Sequence, residues 1–245
     1  MNVNIQKSLI VACLALSGAA FAQTAAPAPD YTLSYNVGVV TDYRYRGISQ
    51  SRQQAALQGG VDFAHSSGFY LGTWASTIKW VKDGGGDAPI EIDFYGGYKG
   101  TAGPISYDVG ALRYQYPSHD LVASPNTTEL YGAVTYSMFT LKYSHAISDL
   151  FGFDDSKNSY YVDLSAAFDL GNGWSLTPHI GYQKVKNYSD YSYTDYALTL
   201  GKDLGNGWST SAALLATNAD KQLYVTPSGK FNGKTMVVVG LKYAF

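Results

Sequence analysis

From Tyr31 onward, apolar residues alternate with small or polar ones at a period of two, and the pattern recurs along the chain. Tyr31, Leu33, Tyr35, Val37 and Val39 alternate with Thr32, Ser34, Asn36 and Gly38. Ile90, Ile92, Phe94, Gly96 and Tyr98 alternate with Glu91, Asp93, Tyr95, Gly97 and Lys99. The same holds for Tyr160–Asp169 and Trp174–Gln183. A period of two places successive side chains on opposite faces of a strand, whereas a helix needs 3.6, so these segments are strands. Pro178 removes one ladder donor from the last of them, which counts against a central strand of a soluble sheet.

Turn signals punctuate the alternation at Ser66-Ser67-Gly68, Gly100–Pro104, Ser137-Met138, Leu170–Gly173 and Leu204–Gly207, a spacing of about 35 residues. The last two lie in near-copies, Asp169-Leu170-Gly171-Asn172-Gly173-Trp174-Ser175 and Asp203-Leu204-Gly205-Asn206-Gly207-Trp208-Ser209. Asn-Gly supplies the positive φ of a tight hairpin. Two strands of about 11 residues, a short turn and a longer loop account for each unit, so five hairpins plus a first and last strand predict twelve strands. The longer connections, Asp42–Gln53, Val81–Pro89, Pro117–Asn126, Asp149–Lys157 and Asn218–Lys234, all fall at the opposite end.

Composition narrows the setting. Charged residues are 15% against a typical value of about 25%, the net charge is −2, and there are 22 Tyr and 26 Gly. No basic field is available for a nucleic acid. Residues 1–22 are expected to be an export signal: Lys7 is the positive n-region, Ser8–Gly18 the apolar stretch and Ala20-Phe21-Ala22 the small-x-small cleavage site. Cys13, the single cysteine, lies inside it, so the mature chain would have no disulfide. Residues 23–30, with Pro27 and Pro29, are expected to be a flexible lead-in, and residues 31–245 the barrel. No other apolar run reaches the roughly 20 residues of a membrane helix, so any membrane crossing must be by strands.

Short turns at one end, long polar loops at the other, an even strand count and an export signal predict an all-β, antiparallel, up-and-down transmembrane barrel of about twelve strands in the bacterial outer membrane. A soluble sandwich would tolerate charges on its outer face. Here charges keep to one phase of each strand, and Trp174, Trp208, Tyr116 and Tyr243 stand at strand ends where an interfacial girdle is expected. Val237, Val239, Leu241, Tyr243 and terminal Phe245 form an apolar face that resembles the assembly signal of outer-membrane barrels, with Tyr243 and Phe245 as its aromatic residues.

Tyr45-Arg46-Gly47-Ile48-Ser49-Gln50-Ser51, Gln58-Gly59-Gly60-Val61-Asp62 and Gly68-Phe69-Tyr70-Leu71-Gly72-Thr73-Trp74 together resemble the TorF-family porins of proteobacteria. The resemblance extends through Asp108-Val109-Gly110, Tyr114-Gln115-Tyr116-Pro117 and Glu129-Leu130-Tyr131. It implies an outer-membrane barrel that passes small solutes. It carries over no substrate and no functional residue.

The candidate functional residues follow from the phase of the charges. Asp62, Glu91, Asp93, Lys99, Asp108, Glu129, Lys142, Asp163, Asp195, Lys202 and Lys242 are expected to face the lumen, where they either pair across strands or line a wetted channel that selects solutes. Arg113 joins them only if a bulge near Gly110 shifts the alternation. Arg44, Arg46 and Arg52 cluster in the first long connection. Their guanidinium forks could face inward as an anion-binding constriction or outward to lipopolysaccharide phosphates, or Arg46 could pair with an inward carboxylate and brace the loop.

Enzyme readings are weaker. Gly233-Lys234-Thr235 lacks the leading glycine of a phosphate loop, since position 228 is Ser228. His65, His119, His145 and His179 are dispersed without metal spacing. His65-Ser66-Ser67-Gly68 faintly resembles the His-x-Ser element of outer-membrane lipid hydrolases, but as a turn it needs no catalytic explanation. The expectation is therefore a passive pore for small hydrophilic solutes, with no cofactor, metal or catalytic residue, whose partners are outer-membrane lipid, lipopolysaccharide and the barrel-assembly machinery. A non-conducting structural or surface-binding barrel and a lipid-modifying enzyme are the alternatives.

Overall fold

The alternation closes on itself. The computed structural model describes residues 29–245, so the expected export signal and most of the lead-in lie outside the described residues. The elements in order are β1 (Tyr31–Val40), a short hairpin of β2 (Arg44–Tyr45) and β3 (Ile48–Ser49), β4 (Ala56–His65), β5 (Phe69–Thr77), the one-turn helix α1 (Trp80–Asp83), β6 (Ile90–Ala102), β7 (Ile105–Gln115), β8 (Thr127–Tyr136) and β9 (Phe139–Ala146). They continue with β10 (Tyr160–Ala166), β11 (Phe168–Gly171), β12 (Trp174–Lys184), β13 (Tyr193–Gly205), β14 (Trp208–Thr217) and β15 (Met236–Ala244). β10 and β11 are halves of one strand, since Ser165 opposite His179 and Phe168 opposite Leu176 keep one register against β12. Every neighbouring pair is antiparallel, and β15 pairs with β1, giving a closed barrel of twelve strands and no sheet edge.

Five tight turns lie at one end and six longer connections at the other. Asn172-Gly173 and Asn206-Gly207 have φ of 52°, 77°, 51° and 82°, the all-positive pair that matches strand twist. Before each, an Asp accepts a hydrogen bond from the glycine two residues on, Asp169 from Gly171 and Asp203 from Gly205, both at 2.8 Å. The repeated sequence thus builds the same turn twice. The sixth long connection, residues 185–192, had no signal in the sequence beyond the polarity of Asn187-Tyr188-Ser189-Asp190.

The outer face is apolar, with Leu33, Val37, Leu71, Val109, Leu141, Leu164, Leu198 and Val239 exposed along its middle. Arg113, Lys184 and Lys202 are the charged strand residues on that face, each within three residues of a strand end. Aromatic pairs ring the turn end, including Tyr31 with Phe63 and Phe69 with Tyr98 at centroid separations of 5.7 and 5.1 Å. Tyr143, Tyr160 and Tyr182 stand in contact near the loop end. The seam is also aromatic: Tyr35 and Phe245 exchange backbone hydrogen bonds of 3.0 Å, their rings stack at 5.6 Å, and Tyr243 packs on both Phe245 and Trp208.

Tyr116 departs from the girdle expectation. It is 1% exposed and lies among the loops rather than at the outer surface. The β6–β7 register runs without a shift from Ile92 opposite Gln115 to Ala102 opposite Ile105, so the bulge near Gly110 is absent. Leu112 and Tyr114 consequently face inward, and Arg113 faces outward, donating to Gln115 Oε1 (3.3 Å) and Thr128 Oγ1 (2.9 Å).

Candidate pore and its latch

The inside of the barrel divides along its axis. In the turn half, inward tyrosines lie against glycines of the adjoining strand, Tyr95 opposite Gly72 and Tyr131 opposite Gly110. A Cβ on Gly72 would sit 2.3 Å from the Tyr95 ring, so glycine is what lets the ring lie against the wall. Flat rings leave room, and a chamber of about 580 Å³ remains, lined by Asn36, Gln58, Asp62, Lys142, Ser211 and Lys242 among others. Asp62 accepts from Tyr95 Oη at 2.5 Å, and Tyr70 donates to Asp108 at 2.6 Å while also contacting Tyr131. Lys99 and Lys142 stand over the rings of Tyr70 and Tyr131, each at 4.4 Å, and Lys99 is 4.0 Å from Asp108.

In the loop half the first connection turns inward. Arg46-Gly47, with φ of 45° and 80°, forms the two-residue tip between β2 and β3. A Cβ on Gly47 would meet Asp195 Cβ at 2.8 Å, so glycine serves both the positive φ and the contact with the wall. Arginine is rarely left-handed, and such a conformation persists where surrounding contacts over-determine it. Here they do: Arg46 Nη2 donates to Glu129 Oε2 at 2.7 Å, Nη1 donates to Gln183 Oε1 at 2.6 Å, and the guanidinium stands 4.7 and 4.2 Å from the Tyr45 and Tyr161 ring centroids. The two side chains of the ion pair are 8% and 1% exposed. Replacing one partner of such a buried pair strands the other charge.

The remaining arginines have different surroundings. Arg44 pairs with Asp42 at 2.5 Å and donates to the carbonyls of Gly47 (2.8 Å), Asn232 (2.8 Å) and Lys234 (3.1 Å), tying the hairpin to the last loop. Arg52 pairs with Asp83 of α1, its Nε donating at 2.6 Å, and the hydrogen bond raises its pKa against the smaller cost of burial. Of the three sequence-level options for this cluster, the inward fold and the bracing role of Arg46 occur together.

Five of the seven expected lumen carboxylates, Glu91, Asp93, Glu129, Asp163 and Asp195, lie in the loop half, while Asp62 and Asp108 lie in the turn half. Glu91 accepts from Tyr43 (2.5 Å) and Tyr116 (2.6 Å). Burial, then the Glu91 charge, pushes both hydroxyls well above the ordinary phenol range, so they stay protonated and donate. Asp93 Oδ1 and Glu129 Oε1 are buried without a hydrogen-bond partner. Asp195 accepts from Tyr161 at 2.9 Å. Asp163 contacts His179, which also stands 3.6 Å from Asp195; no local pattern signals this meeting, because the three residues are on separate strands.

Lys202 is a correction. It lies opposite Trp174 and Thr210 on the outer phase, with Nζ 5.1 Å from the Trp174 ring and 2.5 Å from the Asn172 carbonyl. The expected inward placement fails because β13 pairs with β12 in one unbroken register from Tyr193 opposite Gln183 to Lys202 opposite Trp174, so Lys202, seven residues from the inward Asp195, falls on the opposite face. Lys242 does face inward, opposite Gly38 and Ser209. At the turn end, His65 Nδ1 is 2.7 Å from Ser67 Oγ and accepts from the Ser67 amide at 3.1 Å, the local bonding of an exposed turn.

Beyond the tip, toward the loop ends, a second cavity of about 740 Å³ opens, lined by Trp80, Tyr116, Phe151, Tyr191, Tyr224 and Asn232 among others. The hairpin therefore separates an outer vestibule from an inner chamber.

The family described as "Bacterial protein of unknown function (Gcw_chp)" matches residues 24–245. The chain belongs to that family. A comparison with curated proteins found no match. Among solved structures, the barrel is similar to "KdgM porin", with a TM-score of 0.55 at 10% identity over 87% of this chain and 98% of that one. A second structure of that protein, "in complex with disordered oligogalacturonate", aligns equally well. "NanC porin" gives a TM-score of 0.50 at 12% identity over the same shares of each chain. At these identities the likeness is one of fold, a twelve-stranded outer-membrane-type barrel.

Proposed function

We propose that this member of the Gcw_chp family is an outer-membrane porin-like barrel through which small hydrophilic solutes diffuse passively, with the inward-folded first loop setting the constriction. The observation that carries this reading is a polar, charge-lined chamber inside a closed barrel whose outer face is apolar. A barrel that served only as a scaffold would have no need of Asp62, Lys142 and Lys242 around an open space, because interior charge is costly unless it is paired or wetted. The resemblance to TorF-family porins, the export signal expected in residues 1–22 and the terminal Tyr243/Phe245 face support delivery by the barrel-assembly machinery to the outer membrane. Apolar strands and aromatic rings suit contact with lipid, and Arg113, on the outer face near the loop end, suits lipopolysaccharide phosphate. No catalytic role is assigned. The turn bonding of His65 and Ser67 is sufficient account of that pair.

One observation favours a second reading. The Arg46 bridge crosses the lumen with both side chains buried, as it would in a non-conducting barrel. Single-channel recording of refolded protein in planar bilayers separates the two: discrete ohmic steps are expected, and silent bilayers with a folded, heat-modifiable barrel would favour the closed scaffold.

A further inference from the structure

Residues paired across neighbouring strands join into rows around the lumen, and one row carries charge of alternating sign. In register, Lys99 lies opposite Asp108, Asp108 opposite Ala133 and Ala133 opposite Lys142. The row continues from Lys142 to Asp163, then through Gly181 to Asp195. Lys99 and Asp108 are three residues from the turn ends of β6 and β7, whereas Asp163 and Asp195 are three and two residues from the loop ends of β10 and β13. A row at right angles to strands that tilt by about 35–45° climbs the wall as it goes round. This one leads from the turn mouth to the hairpin tip, where Asp195 lies against Gly47. Resting on the pore reading above, we infer that the row and the inner chamber it borders at Lys142 form a track for zwitterionic solutes of the amino-acid type.

Charge balance selects the class of solute. The charged residues lining the chamber are two acids and two amines, Asp62, Asp93, Lys142 and Lys242. A site for an anion would carry surplus amine and a site for a cation surplus carboxylate. A neutral solute would need neither, and interior charge is costly unless it is paired or wetted. Nor do these charges simply neutralise one another. Lys142 is directly across from Asp163 yet makes no ion pair among the described residues; its Nζ stands 4.4 Å from the Tyr131 ring centroid, and Asp163 is contacted by His179 instead. Lys242 makes neither an ion pair nor a hydrogen bond among the described residues. Both amines are therefore open to a solute carboxylate. Asp62 accepts one hydrogen bond, from Tyr95, and a carboxylate can accept several, so it is open to a solute ammonium. Cross-strand neighbours are about 5 Å apart, so one small zwitterion can meet opposite charges on adjoining strands at once. The next inward row toward the turns, Ser106, Thr135, Thr140 and Ser165, is all hydroxyl and can hydrogen-bond either end of the solute. Glu91, Glu129 and Asp195, at 1%, 1% and 2% exposed, are out of a solute's reach.

The test is protein-dependent uptake into proteoliposomes holding the refolded full-length barrel, with four solutes of nearly one size at neutral pH: alanine as the zwitterion, lactamide as the neutral molecule, lactate as the anion and alaninamide as the cation. Alanine is expected to enter about threefold faster than each of the others, the order of one water-exposed ion pair. Lys142→Gln leaves the chamber acids in surplus and should raise alaninamide relative to alanine. Asp62→Asn, which can still accept from Tyr95, should raise lactate instead. Lys202→Gln, outside the wall, should change neither ratio. A merely structural defect would not move the two charged solutes in opposite directions. Equal entry of the four solutes, lactate or alaninamide ahead of alanine in the native barrel, or variants that shift both charged solutes together would overturn the track and leave the pore standing. The same uptake is measured with Arg46→Gln, which frees the hairpin; no entry of any solute with either hairpin would overturn the pore and the track together. Heat-modifiable migration reports that each variant is folded, and should one fail to fold, the other and the native ranking decide.

Discussion

The two halves of the lumen are made from the same strands and differ in what the strands enclose. In the turn half, Lys99 and Asp108 side chains remain 38% and 27% exposed, and the inward tyrosines lie against glycines. In the loop half, Glu91, Glu129 and Asp195 are 1%, 1% and 2% exposed, because the hairpin of the first connection fills the space. The strand wall alone would leave a tube. What turns the tube into a constriction is one loop, held by the polar contacts of its arginines and by Tyr43, Tyr45 and Ile48 packed into apolar clusters. A barrel can thus keep a rigid wall, fixed by its ladder, and place its variable element in a few side chains.

The comparison breaks first if the two ends are assigned to the wrong sides of the membrane. The short turns are expected to face the periplasm. The mature chain would have no thiol of its own, so cysteine at Gly85 should label in intact cells with an impermeant maleimide and cysteine at Asn206 should not; the reverse pattern inverts the orientation. Assembly is the next largest effect. Removing Phe245 deletes two backbone hydrogen bonds to Tyr35 and two ring stacks at the closing seam, and loss of heat-modifiable barrel from the outer-membrane fraction is expected. Normal accumulation would mean the seam closes without its terminal residue.

The latch comes third. Arg46→Gln leaves Glu129 buried and unpaired, at a cost on the order of 3–5 kcal/mol, enough to release the hairpin tip. Unitary conductance should rise severalfold. Arg46→Gln with Glu129→Gln should sit nearer the native value, because neutral amides bond each other without a stranded charge. Equal conductance in all three proteins would put the tip outside the permeation path. Replacing Arg44, Arg46 and Arg52 together would be harder to interpret, since Arg44 holds the loop through Asp42 and three carbonyls.

Which of this was legible beforehand depended on whether the signal was local. Strand phase, turn positions and the strand count follow from neighbours in sequence, so the twelve-stranded architecture and the Asn-Gly turns could be read directly. Tyr116 and Arg113 could not be placed, because the choice between a bulge and an unbroken β7 is made by its partners β6 and β8. The arginine cluster was visible, but its division of labour was not: Arg46 meets Glu129 across 83 positions and Arg44 meets Asn232 across 188. The vestibule was hidden for the same reason. Trp80, Asp83 and Asn232 come from the second and last long connections, and no spacing relates them.

The smallest expected effect tests the register itself. Lys202 and Lys242 were expected to be equivalent lumen charges, yet Lys242 lines the inner chamber while Lys202 lies outside the wall on Trp174. The inward carboxylates Asp62, Glu91, Asp93, Asp108, Glu129, Asp163 and Asp195 then face Lys99, Lys142 and Lys242, with Arg46 added by the loop. That excess of negative charge predicts a weak cation preference. Removing one lysine about 8 Å from the ion path, through water, changes an ion's energy by roughly 0.5 kcal/mol, which is about twofold in permeability ratio before salt screening. Lys242→Gln should therefore move the reversal potential in a low-salt gradient toward greater cation selectivity by about that factor. Lys202→Gln should leave it where it was, since its charge is beyond the strand wall and close to solvent. The Lys242 shift should shrink as salt is raised from 0.1 M to 1 M, where the Debye length falls from about 10 to 3 Å. Equal shifts from both variants would mean that Lys202 reaches the lumen and that the outward phase assigned to it through β12 and β14 is wrong.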